Sequence, residues 1–154
     1  MFCLISEEDH KKILEKHITT KKYENIFRSL MIIDIHTGLS FFSYSNETDP
    51  IDDVLVSGFL SAMDSFVSEI GGGTSLKEIN YKGFFIHAAY GEKVKMALFL
   101  SQPADQILKD FLAYFLEQFE VNFKNEIDVF KQSGDTSVFD ISKITKKVRE
   151  YLSI

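Results

Sequence analysis

The chain has 154 residues, of which 45% are hydrophobic and 14% aromatic, and its formal net charge at pH 7 is −6. This length supports one substantial core and is too short for two ordinary domains. The 23 acidic residues outnumber the 17 lysines and arginines, and Arg28 and Arg149 are the only arginines. Because nucleic acid binding needs a field of basic side chains that displaces counterions, the composition argues against a nucleic acid partner.

Cysteine usage and hydropathy predict where the chain works. Cys3 is the only cysteine, so no intramolecular disulfide can form and a reducing, cytoplasmic setting is expected. The apolar residues 1–5 are followed at once by acidic residues, and no later stretch reaches the ~18 apolar residues of a membrane span. We therefore expect membrane contact to be peripheral or made through a partner.

The first half of the chain predicts a helix, a hairpin and a second helix. Residues 6–18 are amphipathic with early acids, and residues 27–34 have the unbroken apolar centre of a strand that is covered on both faces. Residues 39–44 follow a turn, so the two strands form an antiparallel hairpin. Asp49 before Pro50 starts a helix that ends at the glycines at 71–73.

The second half predicts a meander and two helices. Its three strands, with glycines at the reversals, occupy residues 75–82, 84–90 and 94–101. Pro103 starts a long helix in which apolar residues keep helical spacing as far as Phe130. Asp140 caps a last helix that places Ile144 and Val148 on one face.

The sequence shows no arrangement that predicts catalysis, a cofactor or a metal ion. It contains no G-x-S-x-G elbow and no HExxH motif, and its four histidines are scattered. The glycines at 71–73 follow a helix and precede a strand, which is the reverse of the order in a phosphate-binding loop. We therefore predict that the chain is not an enzyme and that it has no cofactor.

The order strand, strand, helix, strand, strand, strand, helix, helix resembles a longin domain of the longin/roadblock superfamily. The resemblance rests on this order, on the hairpin SLMIIDIHTGLSFFSYS and on the helix IDDVLVSGFLSAMDSFVSEI. It implies an α+β fold, a five-stranded antiparallel sheet flanked by helices, with residues 26–154 as the longin-like domain and residues 1–25 as an N-terminal helical extension. A longin SNARE continues into a coiled coil and a membrane anchor, whereas this sequence stops at Ile154, so a stand-alone longin-like protein is expected.

The helix at 51–70 carries an apolar arc wider than packing on one sheet requires. One stripe contains Ile51, Leu55, Phe59, Ala62, Met63, Phe66 and Ile70. Val56, Leu60 and Val67 extend the arc next to a row of serines. Small side chains such as serine permit the close approach of another backbone. Either this extension is a dimer or partner surface, or the N-terminal helix covers it.

The strand at 75–82 is the most polar of the five and is predicted to be a sheet edge. Its lysines protect the edge, or its apolar residues pair with another chain. If the strand pairs with another chain, the strand and the helix at 51–70 belong to one interface. The candidate interface residues are Val56, Ser57, Leu60, Ser61, Asp64, Val67, Ser68, Ile79 and Tyr81.

The resemblance implies a non-catalytic adaptor that dimerises with itself or with a related longin or roadblock protein and acts in small-GTPase regulation or vesicle trafficking. One alternative is a profilin-like or PAS-like sensor of small molecules. A concave apolar cavity with converging His87, Asn80 or tyrosine side chains would favour that alternative. A second alternative is a roadblock-type structural subunit of a larger complex.

Overall fold

The computed structural model describes residues 22–45, 53–69, 78–81 and 84–154. The helix predicted at 6–18, the helix start at Asp49 and Pro50, and the glycines at 71–73 lie outside these ranges.

Five strands of the described chain form one antiparallel sheet in the order β2–β1–β5–β4–β3. The strands are β1 (Phe27–Asp34), β2 (Ser40–Ser45), β3 (Glu78–Tyr81), β4 (Phe84–Tyr90) and β5 (Val94–Leu100). The predicted hairpin and meander are confirmed, since β1 pairs with β2, β3 with β4, and β4 with β5. The first and last strands, β1 and β5, pair at the centre of the sheet, which explains why both are apolar on both faces.

Of the described helices, one lies between β2 and β3 in the chain and the others follow β5. The helices are α1 (Asp53–Glu69), α2 (Gln106–Asn122), α3 (Lys124–Ser133) and α4 (Ile141–Leu152), with a short 3₁₀ turn at Thr136–Val138. The predicted cap of the last helix is confirmed, because the Asp140 side chain accepts a hydrogen bond from the Lys143 amide. The preceding long helix begins later than predicted. Asp105 caps it by accepting a bond from the Leu108 amide at 2.8 Å.

The prediction of one long helix to Phe130 is wrong, because the backbone leaves helical geometry at Phe123, where φ is −114° and ψ is 23°. Hydrogen bonds of 2.9 Å still run from the Phe123 amide to Phe119 and from the Ile127 amide to Phe123. The apolar spacing therefore continues through the break, and periodicity gives no sign of it. The Phe123 side chain is buried, with its ring centroid 4.7 Å from that of Phe119.

Among the described side chains, the cores on the two faces of the sheet differ in size. Side chains alternate along β5, so that Met96 and Leu98 face α2–α4 whereas Ala97 and Phe99 face α1. The α2–α4 side holds a large core with an aromatic centre, in which the Phe41 and Phe139 rings stack at 4.5 Å. The buried members of the smaller core under α1 are Met31, Ile33, Leu60, Ile86, Ala97 and Phe99.

Residues at the start of the described chain are joined to its end. The Tyr23 amide donates to the Ser153 carbonyl at 3.1 Å, and the Lys22 amide donates to Ser153 Oγ at 3.2 Å. The Tyr23 side chain is buried, and its hydroxyl donates to Asp105 at 2.8 Å. Residues 22 and 23 of the predicted N-terminal extension thus pack on the domain.

Candidate functional site

Two of the apolar interface candidates on α1, Val56 and Leu60, face the sheet. Leu60 is only 6% exposed and packs in the small core with Met31 and Phe99, and Val56 is half-buried against the same cluster. Neither side chain therefore extends an exposed surface in the described chain. Both side chains help to hold α1 on its own sheet.

The exposed apolar residues of α1 belong to the stripe that was expected to face the sheet. Phe59 is 49% exposed, Phe66 is 57% exposed, and Ala62 between them is also exposed. At ~100° per residue these three side chains share one side of the helix, which we term the α1 flank. An apolar arc this wide does not itself determine which part of it meets the sheet.

A buried charge cluster under α1 fixes which side of the helix meets the sheet. Lys95 projects from β5 toward α1 with only 6% of its side chain exposed, and its Nζ lies 2.8 Å from Asp64 Oδ2. The Tyr90 hydroxyl donates to Asp64 Oδ1 at 2.7 Å, so both carboxylate oxygens of Asp64 have a partner. Because Asp64 follows Leu60 by about one helical turn, both residues face the sheet and the α1 flank is turned outward.

The same cluster affects the ionisation of Tyr90. Burial, with the hydrogen bond to Asp64 as the next cause, raises the pKa of the Tyr90 phenol far above its ordinary value. The hydroxyl therefore remains a donor to Asp64 at every pH at which the chain is normally handled. Tyr23, which is buried and bonded to Asp105, has its pKa raised in the same way.

One of the predicted small residues on α1 serves a contact within the chain. Gly38, in the β1–β2 turn, has φ +72°, and a Cβ added there would lie 2.8 Å from Ser61 Oγ. The turn therefore approaches the helix closely at Ser61. This contact lies on the side of the helix opposite the α1 flank.

Of the remaining candidates, Ile79 on β3 is half-buried and packs on the small core. The structure describes the backbone and not the side chains at Ser57, Val67, Ser68 and Tyr81. Within the described sheet, β3 is an edge strand that pairs with β4 alone. The predicted edge position of this strand is confirmed.

A cleft of about 380 Å³ lies between β3, β4 and the start of α2. Apolar side chains that include Phe85, Leu100 and Pro103 line it together with polar side chains. Its polar lining residues are Glu78, Asn80, His87 and Lys109. Two of these, His87 and Asn80, are the residues that the sequence named for a sensor cavity.

Sequence patterns offer only faint signals for these contacts. Lys95 is the one charged residue in the strand VKMALFL, and a lone charge in a buried strand indicates a buried partner. Its partner Asp64 is 31 positions away, and no local pattern joins the two. Glu78 and Lys109 are likewise brought together only by the packing of α2 against the meander.

The described part of the chain offers neither a cluster of metal ligands nor a membrane span. No group of three or more His, Cys, Asp or Glu side chains in it is placed to hold a metal ion. None of its helices combines the length and the hydrophobicity that crossing a bilayer requires.

The sheet order and the placement of α1 between β2 and β3 define an α+β domain in which helices flank a five-stranded antiparallel sheet, as the resemblance implied. No protein-family profile and no curated protein matches the chain. Twenty-one chains of solved structures do match.

Three of the matching structures are of MglB. One is Myxococcus xanthus MglB, which is 16% identical with a TM-score of 0.39, covering 90% of this chain and 98% of that one. Another is the gliding protein MglB from Thermus thermophilus, 16% identical with a TM-score of 0.36, covering 63% and 76%. The third, MglB with a tetrameric arrangement, is 15% identical with a TM-score of 0.35, covering 63% and 75%.

Proposed function

We propose that this chain is a non-catalytic interaction platform that dimerises and acts in small-GTPase regulation or vesicle trafficking. The observation that carries the proposal is the α1 flank, where the aromatic rings of Phe59 and Phe66 are about half exposed. A solvated helix face normally carries charged side chains, and adjacent exposed aromatic residues are typical of protein interfaces.

The edge strand supplies a second element of the same platform. One side of β3 has no partner strand in the described sheet, so its backbone amides and carbonyls are available to a strand from another chain. Apolar contact on the α1 flank and strand pairing at β3 are different kinds of recognition. Together they would fix both the affinity and the orientation of a partner.

The proposed mechanism requires that α1 is held rigidly. Leu60 anchors the helix in the small core, and the ion pair of Asp64 with Lys95 fixes its rotation. A rigid surface of this kind can stabilise one state of a GTPase only if it binds that state more tightly than the other. A tenfold preference corresponds to about 1.4 kcal/mol.

The double variant Phe59→Asp/Phe66→Asp is expected to be a folded monomer, whereas the unmodified chain is expected to have the mass of a dimer. Two carboxylates on the α1 flank would oppose apolar contact without touching the core, because both side chains are exposed. Size exclusion with light scattering measures the mass, and circular dichroism checks the fold. The control is Val121→Asp, at a 68% exposed site on α2, which should leave the mass unchanged. A dimer that persists in the double variant would place the interface elsewhere.

Binding to purified small GTPases tests the regulatory part of the proposal. We expect the chain to bind at least one member of a panel and to prefer either its GDP-loaded or its GTP-analogue-loaded form by about tenfold or more. Biolayer interferometry with both loaded forms gives the two dissociation constants. A stable dimer that binds no GTPase in either form would instead favour a structural subunit.

A further inference from the structure

In the cleft between β3, β4 and α2, the Glu78 carboxylate lies near two nitrogen groups. Glu78 Oε1 lies 2.5 Å from Lys109 Nζ, and His87 Nδ1 is 3.6 Å from the same oxygen, which is beyond hydrogen-bond distance. The two groups come from different elements, His87 from β4 and Lys109 from α2. Their positions are therefore set by the packing of the domain and do not depend on the Glu78 side chain.

The carboxylate that now occupies this position is largely exposed to solvent. The Glu78 side chain is 59% exposed, whereas that of His87 is 15% exposed and that of Lys109 31% exposed. The Lys109 hydrogen bond lowers the pKa of Glu78, so the group is ionised at neutral pH. Exposed ion pairs contribute little to stability, so Glu78 can turn away into solvent at small cost.

Apolar side chains also line the cleft. Phe85 and Pro103 line it, and Leu100, also a lining residue, is only 1% exposed. Its volume of about 380 Å³ lies within the usual range for small-molecule sites. The polar groups thus stand beside an apolar wall, an arrangement that suits a ligand with one charged end and one hydrocarbon end.

We propose that this cleft binds a small amphipathic monocarboxylate. The ligand's carboxylate takes the place of Glu78 between Lys109 and His87, and its hydrocarbon body lies against Phe85 and Pro103. The side-chain amide of Asn80, on the same face of the sheet as Glu78, is within the cleft as a further polar contact. Glu78 then acts as an internal competitor that occupies the site in the absence of ligand.

Titration of the full ¹⁵N-labelled chain with sodium hexanoate, followed by amide NMR, tests this site. Hexanoate is expected to give saturable shifts centred on Asn80, His87 and Lys109, and hexanamide, which lacks the charge, is expected to bind at least about tenfold more weakly. Binding is read on the chain itself, so the result is independent of dimer formation and of any GTPase.

Two substitutions at the site should have opposite effects. Lys109→Gln should weaken hexanoate binding about tenfold, because a charge-assisted hydrogen bond is lost. Glu78→Gln should tighten binding by about two- to fivefold, because the competing carboxylate is removed. The control is Lys93→Gln, which removes a lysine of similar exposure that pairs with Asp128 elsewhere on the surface, and it should leave the affinity unchanged.

The remaining outcomes would overturn the proposal. They are the absence of saturable shifts with hexanoate, equal binding of hexanoate and hexanamide, weaker binding in Glu78→Gln, and an equal loss in Lys93→Gln and Lys109→Gln. In each of these cases Glu78 and Lys109 would form a surface ion pair that ties β3 to α2. The amide spectrum of each variant shows directly whether the domain is folded.

Discussion

Replacement of Asp64 by leucine is expected to lower the free energy of unfolding by about 3 kcal/mol, because it leaves the Lys95 ammonium buried without its carboxylate partner. The value is at the low end for a buried pair, since Asp64 retains 23% exposure while Lys95 retains 6%. Urea denaturation followed by circular dichroism measures the change, provided that the slope of the transition is unchanged.

The double variant Asp64→Leu/Lys95→Met distinguishes the destabilisation caused by an unpaired buried charge from that caused by replacing the two side chains. Because it leaves no buried charge, it should recover most of the stability that Asp64→Leu loses. The matched control is Asp128→Leu, which breaks the exposed pair of Lys93 and Asp128 at 2.7 Å and should change stability little. If the double variant were as unstable as Asp64→Leu, the buried charge would not be the source of the loss.

Phe119→Ala is expected to lower the free energy of unfolding by about 3 to 5 kcal/mol, because it opens a cavity in the aromatic centre of the large core. Phe119 is 1% exposed, and its ring lies 4.7 Å from that of Phe123 and 6.0 Å from that of Phe41. The three rings come from β2, α2 and the break between α2 and α3, so one cavity loosens several elements. Chemical denaturation provides the measurement.

The control for this prediction lies two positions further along the same helix. Val121 is 68% exposed, and Val121→Ala should leave the stability nearly unchanged, since surface substitutions usually have small effects. A small loss in Phe119→Ala would contradict the tight packing of the aromatic centre and would mean that the neighbouring rings collapse into the space.

The stability of the Asp64 cluster and the proposed function are physically linked. The ion pair of Asp64 with Lys95 joins α1 to β5 beside the small core that holds Leu60. With Leu60 and Asp64 turned inward, Phe59 and Phe66 are turned outward. An α1 that rotated on the sheet would lose the surface that the platform requires.

Much of the fold could be predicted from the sequence because it depends on local patterns. The apolar runs of β1 and β5 predict strands covered on both faces, and the polar residues around β3 predict a sheet edge. The Asp140 cap predicts the start of α4 from a single side chain. The break at Phe123 could not be predicted, because the residues on its two sides keep the same helical spacing.

The sequence by itself determined the α+β class, the order of the strands and the pairing of neighbouring strands, since periodicity and turn residues act over a few positions. Only the tertiary structure decided which side of α1 is exposed and which charges meet. Asp64 with Lys95, and Glu78 with Lys109, are each separated by 31 positions. The physical reason is that a helix with a wide apolar arc can pack on the sheet in several rotations about its axis. Contacts between residues that are distant in the chain select one of these rotations.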